Sequence, residues 1–251
     1  MKTVNESAVE LIDSMGNDLT VVNAARVSFD KQSEYRTIGV QEEYDVDSRL
    51  ISHYPIEVLK EEDEKLIKYL ARHNHWSPFA HTGITLRVSA PIFVARQLVK
   101  HQVGGVWNEV SRRYVDDEPV FYLPKEWRGK PVNAKQGSDG IFNAHHICLD
   151  DSGWSMTLAE AFHRYSELCL ELYTRSIEQG MAPEQARMIL PQNMMTSWYW
   201  TGSLMFFHRV FRQRTDSHAQ VETQEVAKQI GDICGKLFPV SWLALNSCKQ
   251  N

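Results

Sequence analysis

The chain has 251 residues, 43% of them hydrophobic, and a formal charge of −5. That length and apolar content suffice for one ordinary core and do not call for two domains. The slight acidity excludes polyanion binding through bulk charge, so any nucleotide must be met by a local basic pocket. Cys148, Cys169, Cys234 and Cys248 form no CxxC pair and fit neither a disulfide framework nor a zinc knuckle. No run approaches ~20 apolar residues, and the first residues lack an apolar signal core. The expectation is a soluble chain of the reducing cytoplasm with no membrane or nucleic-acid partner.

Residues 8–15 read as a strand. Asn17 and Asp18 then cap a helix whose Val21, Ala24 and Phe29 face the core. Ser28 lies at its end, where a hydroxyl can bond its own backbone. Residues 31–60 are polar and aperiodic, an insertion or a long loop. Residues 61–74 form an amphipathic helix with Leu66, Ile67 and Leu70 inward and acids in its first turn, where the helix dipole favours them. His73, His75 and His81 follow within nine residues. They invite a metal site or a metal-dependent nuclease, but no carboxylate or cysteine stands at the spacing a rigid zinc site uses. Residues 82–89 alternate, with Ile84, Leu86 and Val88 on one face of a half-buried strand.

Pro91 reads as the first position of a helix, with Ile92, Ala95 and Val99 inward. Arg96 and Lys100 then fall one turn apart, where like charges repel. At ~4 Å and an effective dielectric of about 20 two such charges interact by ~4 kcal/mol, and a bound anion would relieve this. Gly104 and Gly105 stop the helix and let backbone approach a ligand. Residues 108–113 are irregular or extended and hold Asn108, Glu109, Ser111, Arg112 and Arg113. Arginine here suits bidentate recognition of a phosphate. The bland alternative is a basic helix face followed by a solvated loop.

Residues 115–153 are loop-rich, with a turn at 122–124, a polar tip at 135–140 and surface histidines His145 and His146. Thr157 and Glu160 make a capping box for a helix to Gln179. Its stripe of Leu158, Phe162, Tyr165, Cys169 and Leu172 belongs to a core or a subunit interface, and Gly180 ends it. Pro183 opens a short helix carrying Arg187, which could snorkel from an apolar patch. Residues 194–203 form a strand and 204–212 a helix. Arg214, which could pair with Asp216, precedes a second capping box, Ser217 and Gln220. The helix that follows turns Val226, Ile230, Ile233 and Leu237 inward. Phe238 and Pro239 close it, and a tail with a packed Trp242 remains.

Four of these segments together resemble the flavin-dependent thymidylate synthases. They are Ala24-Ala25-Arg26-Val27-Ser28-Phe29-Asp30, the run His75-Trp76-Ser77-Pro78-Phe79-Ala80-His81, the stretch around Ser111, and Arg214-Thr215-Asp216-Ser217-His218-Ala219-Gln220. The family signature has Arg-His-Arg, seven residues and Ser. Here it reads Lys100-His101-Gln102, eight residues and Ser111, with Asn108-Glu109 before and Arg113-Tyr114 after. Ala80 stands where the family has Glu, and Ser203 and Arg209 where it has Asn.

The resemblance implies a single α+β domain over 1–251, a mostly antiparallel central sheet packed with helices, with insertions near 31–60 and 116–153. It implies reductive methylation of dUMP to dTMP, with 5,10-methylenetetrahydrofolate as carbon donor and FAD, reduced by NADPH, as hydride donor. Arg214 would be catalytic, facing the pyrimidine and stabilising its N3-deprotonated form. Gln97, Lys100, Glu109, Val110, Ser111, Arg112, Arg113 and Arg187 would hold dUMP, with Arg187 on its phosphate. Ser28, His75, Ser77, Lys100, His101, Gln102, Asn108, Glu109, Ser203 and Arg209 would border FAD. Ser111 is not assigned as a nucleophile, because no base is paired with it. The family is a homotetramer that combines residues of different subunits, so Lys100 and Arg214 need not meet within one chain. The alternatives are a flavin- and nucleotide-binding protein without turnover and the histidine-rich nuclease.

Overall fold

The computed structural model describes residues 1–115, 117–132, 137–142, 147–148 and 155–247. His145, His146, Cys248 and part of the expected polar tip lie outside them. The strands are β1 (Lys2–Val4), β2 (Ala8–Met15), β3 (Arg36–Tyr44), β4 (Leu50–Val58), β5 (Gly83–Pro91), β6 (Gly105–Glu109), β7 (Val120–Tyr122), β8 (Arg128–Gly129), β9 (Asp139–Ile141), β10 (Ile147–Cys148), β11 (Ser155–Met156) and β12 (Met195–Gly202). The helices are α1 (Asp18–Arg26), α2 (Glu61–Arg72), α3 (Ile92–Leu98), α4 (Leu158–Glu178), α5 (Pro183–Ala186), α6 (Leu204–Arg214), α7 (Val221–Leu237) and α8 (Pro239–Ser247).

The class is α+β, as expected. A four-stranded sheet runs in the order β2-β5-β12-β6. Thr85 meets Thr201 and Ser89 meets Ser197 across β5 and β12, a descending register that makes this pair antiparallel. β1 pairs with β7 in parallel. The alternation of β5 works as read: Ile84, Leu86 and Val88 are fully buried. Contacts group the chain into two compact units. One is residues 1–12, 85–201 and 210–230; the other is 13–84, 202–209 and 231–251. The first has Val94, Leu98, Phe121, Trp198, Trp200 and Ile230 in its core; the second has Val21, Ile67, Phe79, Phe207 and Phe238.

Several expectations are corrected. Segment 31–60 is not a loop but contains the antiparallel hairpin β3–β4. Ile38, Val40, Ile51, Tyr54 and Ile56 supply the β-branched and aromatic content that favours strands. Asp45 accepts from the backbone N–H groups of Asp47 and Arg49 to close the turn. Neither strand has a buried residue, which is why no core-facing period shows. Phe29 is 75% exposed. The chain leaves α1 through a 3-10 turn that ends at left-handed Asp30, φ 52°, and this swings Phe29 off the side that buries Val21 and Val22.

Pro91 caps α3 rather than starting it, and the helix stops at Leu98. The N–H groups of Ile92 and Phe93 donate to Met194 and Gln192, which sets the helix's rotation so that Val94, Ala95 and Leu98 are the buried residues. Lys100 therefore lies beyond the helix, and Gly104, φ 84°, turns the chain into β6 rather than ending α3. Tyr122 belongs to β7, not to a turn.

Thr157 and Glu160 form the predicted capping box. The stripe on α4 is not core: Phe162, Tyr165 and Leu172 are 42–52% exposed, and Ala161, Ser166 and Tyr173 face inward. The second capping box does not form, since α7 begins at Val221. In α7 the buried apolar side chains are Val226, Ala227, Ile230 and Cys234; Ile233 and Leu237 are half-buried. The tail is α8, whose first N–H groups, at Val240 and Ser241, donate to the Asp18 carboxylate at 2.9 and 2.8 Å. An acidic partner at a helix start satisfies otherwise orphaned donors.

Candidate active site

Arg214 is the last residue of α6. It does not pair with Asp216. Its Nε–H donates to His101 Nε2 at 2.9 Å, and its Nη2 donates to the Gln97 carbonyl at 2.8 Å. Asp216 instead accepts from the backbone and ring of His218. The backbone bond, then the ring bond, hold its carboxyl below the usual range. Burial draws the Arg214 pKa down: this cation is half withdrawn from water, and among the described residues it makes no ion pair. Within one chain, then, the catalytic candidate already meets the residue next to Lys100.

A guanidinium is a planar fork of five N–H donors. His101 and Gln97 take its Nε–H and Nη2 along the side edge, and Arg214 also lines a pocket of about 730 Å³. The pocket is also lined by Gln97, Gln220, Tyr122, Trp127, Arg128 and Glu222. Gln97 donates through its amide to Gln220 Oε1 at 2.5 Å. Arg128 donates to Glu222 Oε1 at 2.5 Å, and the buried Oε2 of Glu222 has no hydrogen-bond partner among the described residues. Burial, aided by the Glu222 charge, pushes the Tyr122 phenol up to about 12. Gln220, Arg128 and Glu222 are not among the site residues expected from the sequence, where the spacing of Gln220 from Ser217 reads as a cap.

A second pocket in the same unit, about 590 Å³, is lined by Arg87, Ser89, Glu109, Val110, Arg112 and Arg187 among others. Its three arginines, which can meet an anion, share the lining with the carboxylates of Glu6, Glu109, Asp117 and Glu118. Arg87, missed in the sequence, points from the polar side of alternating β5 and donates to Ser197 Oγ at 3.3 Å. Arg112 is tied to the Asp117 carbonyl, and Arg187 to the Glu184 carbonyl. Glu109 accepts from Thr196 Oγ1 at 2.8 Å and from Trp107 Nε1 at 3.3 Å. Trp107 stacks on Trp198, centroids 4.2 Å apart.

The remaining nucleotide candidates, Lys100, Ser111 and Arg113, line neither pocket. Arg113 donates to Ser111 Oγ and lies over the Tyr114 ring. Residues expected to hold one nucleotide are thus distributed over two cavities, the turn after α3 and the turn after β6.

The flavin candidates divide between the compact units. Lys100, His101, Gln102, Asn108 and Glu109 belong to the first, and Ser28, His75, Ser77, Ser203 and Arg209 to the second. Ser28 and Ser77 are exposed, and no described residue occupies their hydroxyls. Val27, Phe29 and Trp76 beside them are 69%, 75% and 58% exposed. Bare apolar surface next to unused donors fits a ligand with a flat ring and polar substituents. Ser203 accepts from the Phe206 N–H and caps α6. His73 packs at a tilt against Tyr69 and meets His75 edge-on; among the described residues no three His, Cys, Asp or Glu converge as metal ligands, and no helix is long and apolar enough to cross a membrane.

Residues 10–240 match the family described as Thymidylate synthase complementing protein. A flavin-dependent thymidylate synthase of Thermosipho africanus is 33% identical over 238 residues, 95% of this chain and 90% of its own. One of Anaplasma marginale is 35% identical over 240 residues, 96% of this chain and 72% of its own. Among solved structures, the UMP/dUMP methylase PolB from Streptomyces cacaoi, bound with 5-Br UMP, superposes with a TM-score of 0.72 at 29% identity, over 98% of this chain and 97% of its own. Fold, motif order and these likenesses agree, and the chain belongs to the flavin-dependent thymidylate synthase family.

Proposed function

We propose that this chain converts dUMP to dTMP by reductive methylation, with 5,10-methylenetetrahydrofolate as carbon donor, FAD as the flavin and NADPH as its reductant. It works as a single catalytic domain within a cytoplasmic homotetramer. The family and the activities for which its relatives are named support the reaction. The split of the nucleotide candidates over separate surfaces supports active sites completed by a second subunit. The observation that carries the reading is Arg214, held along one edge and open along the other.

Carbon five of uracil is a poor nucleophile until negative charge is pushed into the ring. A ring that has lost its N3 proton presents two adjacent acceptors, N3 and a neighbouring carbonyl oxygen. The end-on edge of Arg214 matches that pair, whereas a neutral ring would set N3–H against N–H. Donors already aimed where charge develops need no reorganisation during reaction, and removing one such donor costs about 10²–10³ in rate. Gln97 and Gln220, bonded to each other, offer one oxygen and one NH₂ to the rest of the ring. Arg187 and Arg112, joined by Arg87, take the phosphate. Glu109, fixed by Thr196 and Trp107, accepts from a sugar hydroxyl. Such positioning alone accounts for several kcal/mol of barrier. The flavin, where bound, supplies the hydride that completes the methyl group; Ser28, His75, Ser77, Lys100, Gln102, Asn108, Ser203 and Arg209 would hold it.

The test is to purify the protein, record its visible spectrum and assay thymidylate with FAD, NADPH and methylenetetrahydrofolate. A yellow protein that forms dTMP is the expected result. Nucleotide and flavin binding without product would instead favour a binding protein, and stoichiometric zinc in a colourless preparation the nuclease. Uridylate assayed alongside reads whether the ribose form is accepted.

A further inference from the structure

We propose that His101 is a positioning residue for Arg214: its ring holds the side edge of the guanidinium so that the end-on edge meets the pyrimidine. This deepens the reading above and rests on it. The resemblance would place His101 at the flavin, yet its Nε2 accepts from Arg214 Nε–H at 2.9 Å. The ring is therefore neutral at that nitrogen, with its proton on Nδ1.

The second anchor, the Gln97 carbonyl at 2.8 Å, comes from the last turn of α3. Carbonyls there have no helical partner and are available to other donors. The His101 N–H donates to the Leu98 carbonyl at 3.0 Å, and the imidazole lies 6.4 Å from the Trp200 ring, centroid to centroid. Both acceptors thus arise from one short turn that is itself pinned. Two bonds along one edge of a planar fork fix it against sliding and against rotation in its plane. With only the Gln97 bond left, the fork pivots, and the edge that faces the ring swings out of register. A displacement of about 1 Å at a reacting centre costs on the order of 10² in rate.

The test uses the flavin-loaded full chain and three variants. His101→Gln keeps an acceptor close to the place of Nε2. His101→Asn carries one that is a methylene too short, and His101→Ala carries none and serves if Asn disturbs the turn. Four quantities are read: flavin content, kcat for dUMP, KM for dUMP, and calorimetric affinity for 5-fluoro-dUMP relative to dUMP. The fluorine acidifies N3, so a correctly aimed fork prefers that analogue. In His101→Asn we expect kcat to fall about 100-fold, the preference for the fluorinated nucleotide to vanish, and flavin content and KM to stay within about twofold. His101→Gln should recover kcat to within about tenfold of the parent protein. Equal loss of flavin in Gln and Asn variants would make the ring a flavin ligand and overturn the proposal. So would unchanged kcat and preference in Asn and Ala. A parent protein that binds both nucleotides but makes no dTMP would sink the proposed reaction, while the preference series would still judge His101.

Discussion

Asp63 and Arg214 are both charges drawn away from water, and the chain treats them in opposite ways. Asp63, fully buried on α2, accepts from Arg26 Nε and Nη2 on one oxygen and from Ser33 Oγ on the other. Asn23 and Ser33 close the surround with two reciprocal bonds. Both oxygens of that carboxylate are engaged, by three bonds in all, and its role is to hold α1, the entry to the hairpin and α2 together. Arg214 is less buried but less satisfied: among the described residues it has two neutral acceptors on one edge and none on the other. Saturation of hydrogen-bonding capacity, more than depth, separates a charge that builds from a charge that reacts.

Removing the partner of the saturated charge should have the largest effect. Arg26→Met leaves Asp63 buried and uncompensated, and urea unfolding should show a loss of about 3–5 kcal/mol. Stability close to the parent's would mean that water reaches Asp63 and that the contrast is false. Arg214→Lys keeps the charge but not the fork. We expect kcat to fall about 10²–10³-fold, with unfolding free energy within about 0.5 kcal/mol. A large stability loss would show that this arginine also builds. A smaller step separates binding from chemistry: Arg187→Ala should raise KM for dUMP about tenfold with kcat nearly unchanged, the pattern of lost uniform binding. Least visible is Cys234, whose thiol burial pushes up to about 12. Since the thiolate is the nucleophile, Cys234 should resist a thiol reagent at pH 8 until the chain is unfolded, and rapid labelling of the native protein would contradict its burial.

Legibility in the sequence followed the range of the interaction. The alternation of β5 and the capping box of α4 are written within a few residues, and both appear as read. The hairpin β3–β4 carries strand-forming residues but buries none, so the inward-outward rhythm that reveals most strands is missing. The stripe on α4 shows a helix clearly, yet periodicity cannot tell a core face from one left open. In the site, motif likeness pointed to Arg214 and Arg187. The Arg214 bonds to His101 and Gln97 join residues more than a hundred positions apart, as does the Arg87 bond to Ser197. Local pattern holds no trace of such pairings. Gln220 misled for a related reason: its spacing from Ser217 fits a cap, while a partner on α3 takes its amide.

The stacked indoles of Trp107 and Trp198, 20° from coplanar, give the protein an optical label of its own. Two transition dipoles at that separation couple, so the pair should imprint an exciton signature on the circular dichroism spectrum. Because Trp107 also donates to Glu109, that signal follows the seating of the strand that presents Glu109. A change in it on adding nucleotide would report movement of that carboxylate with no dye and no turnover.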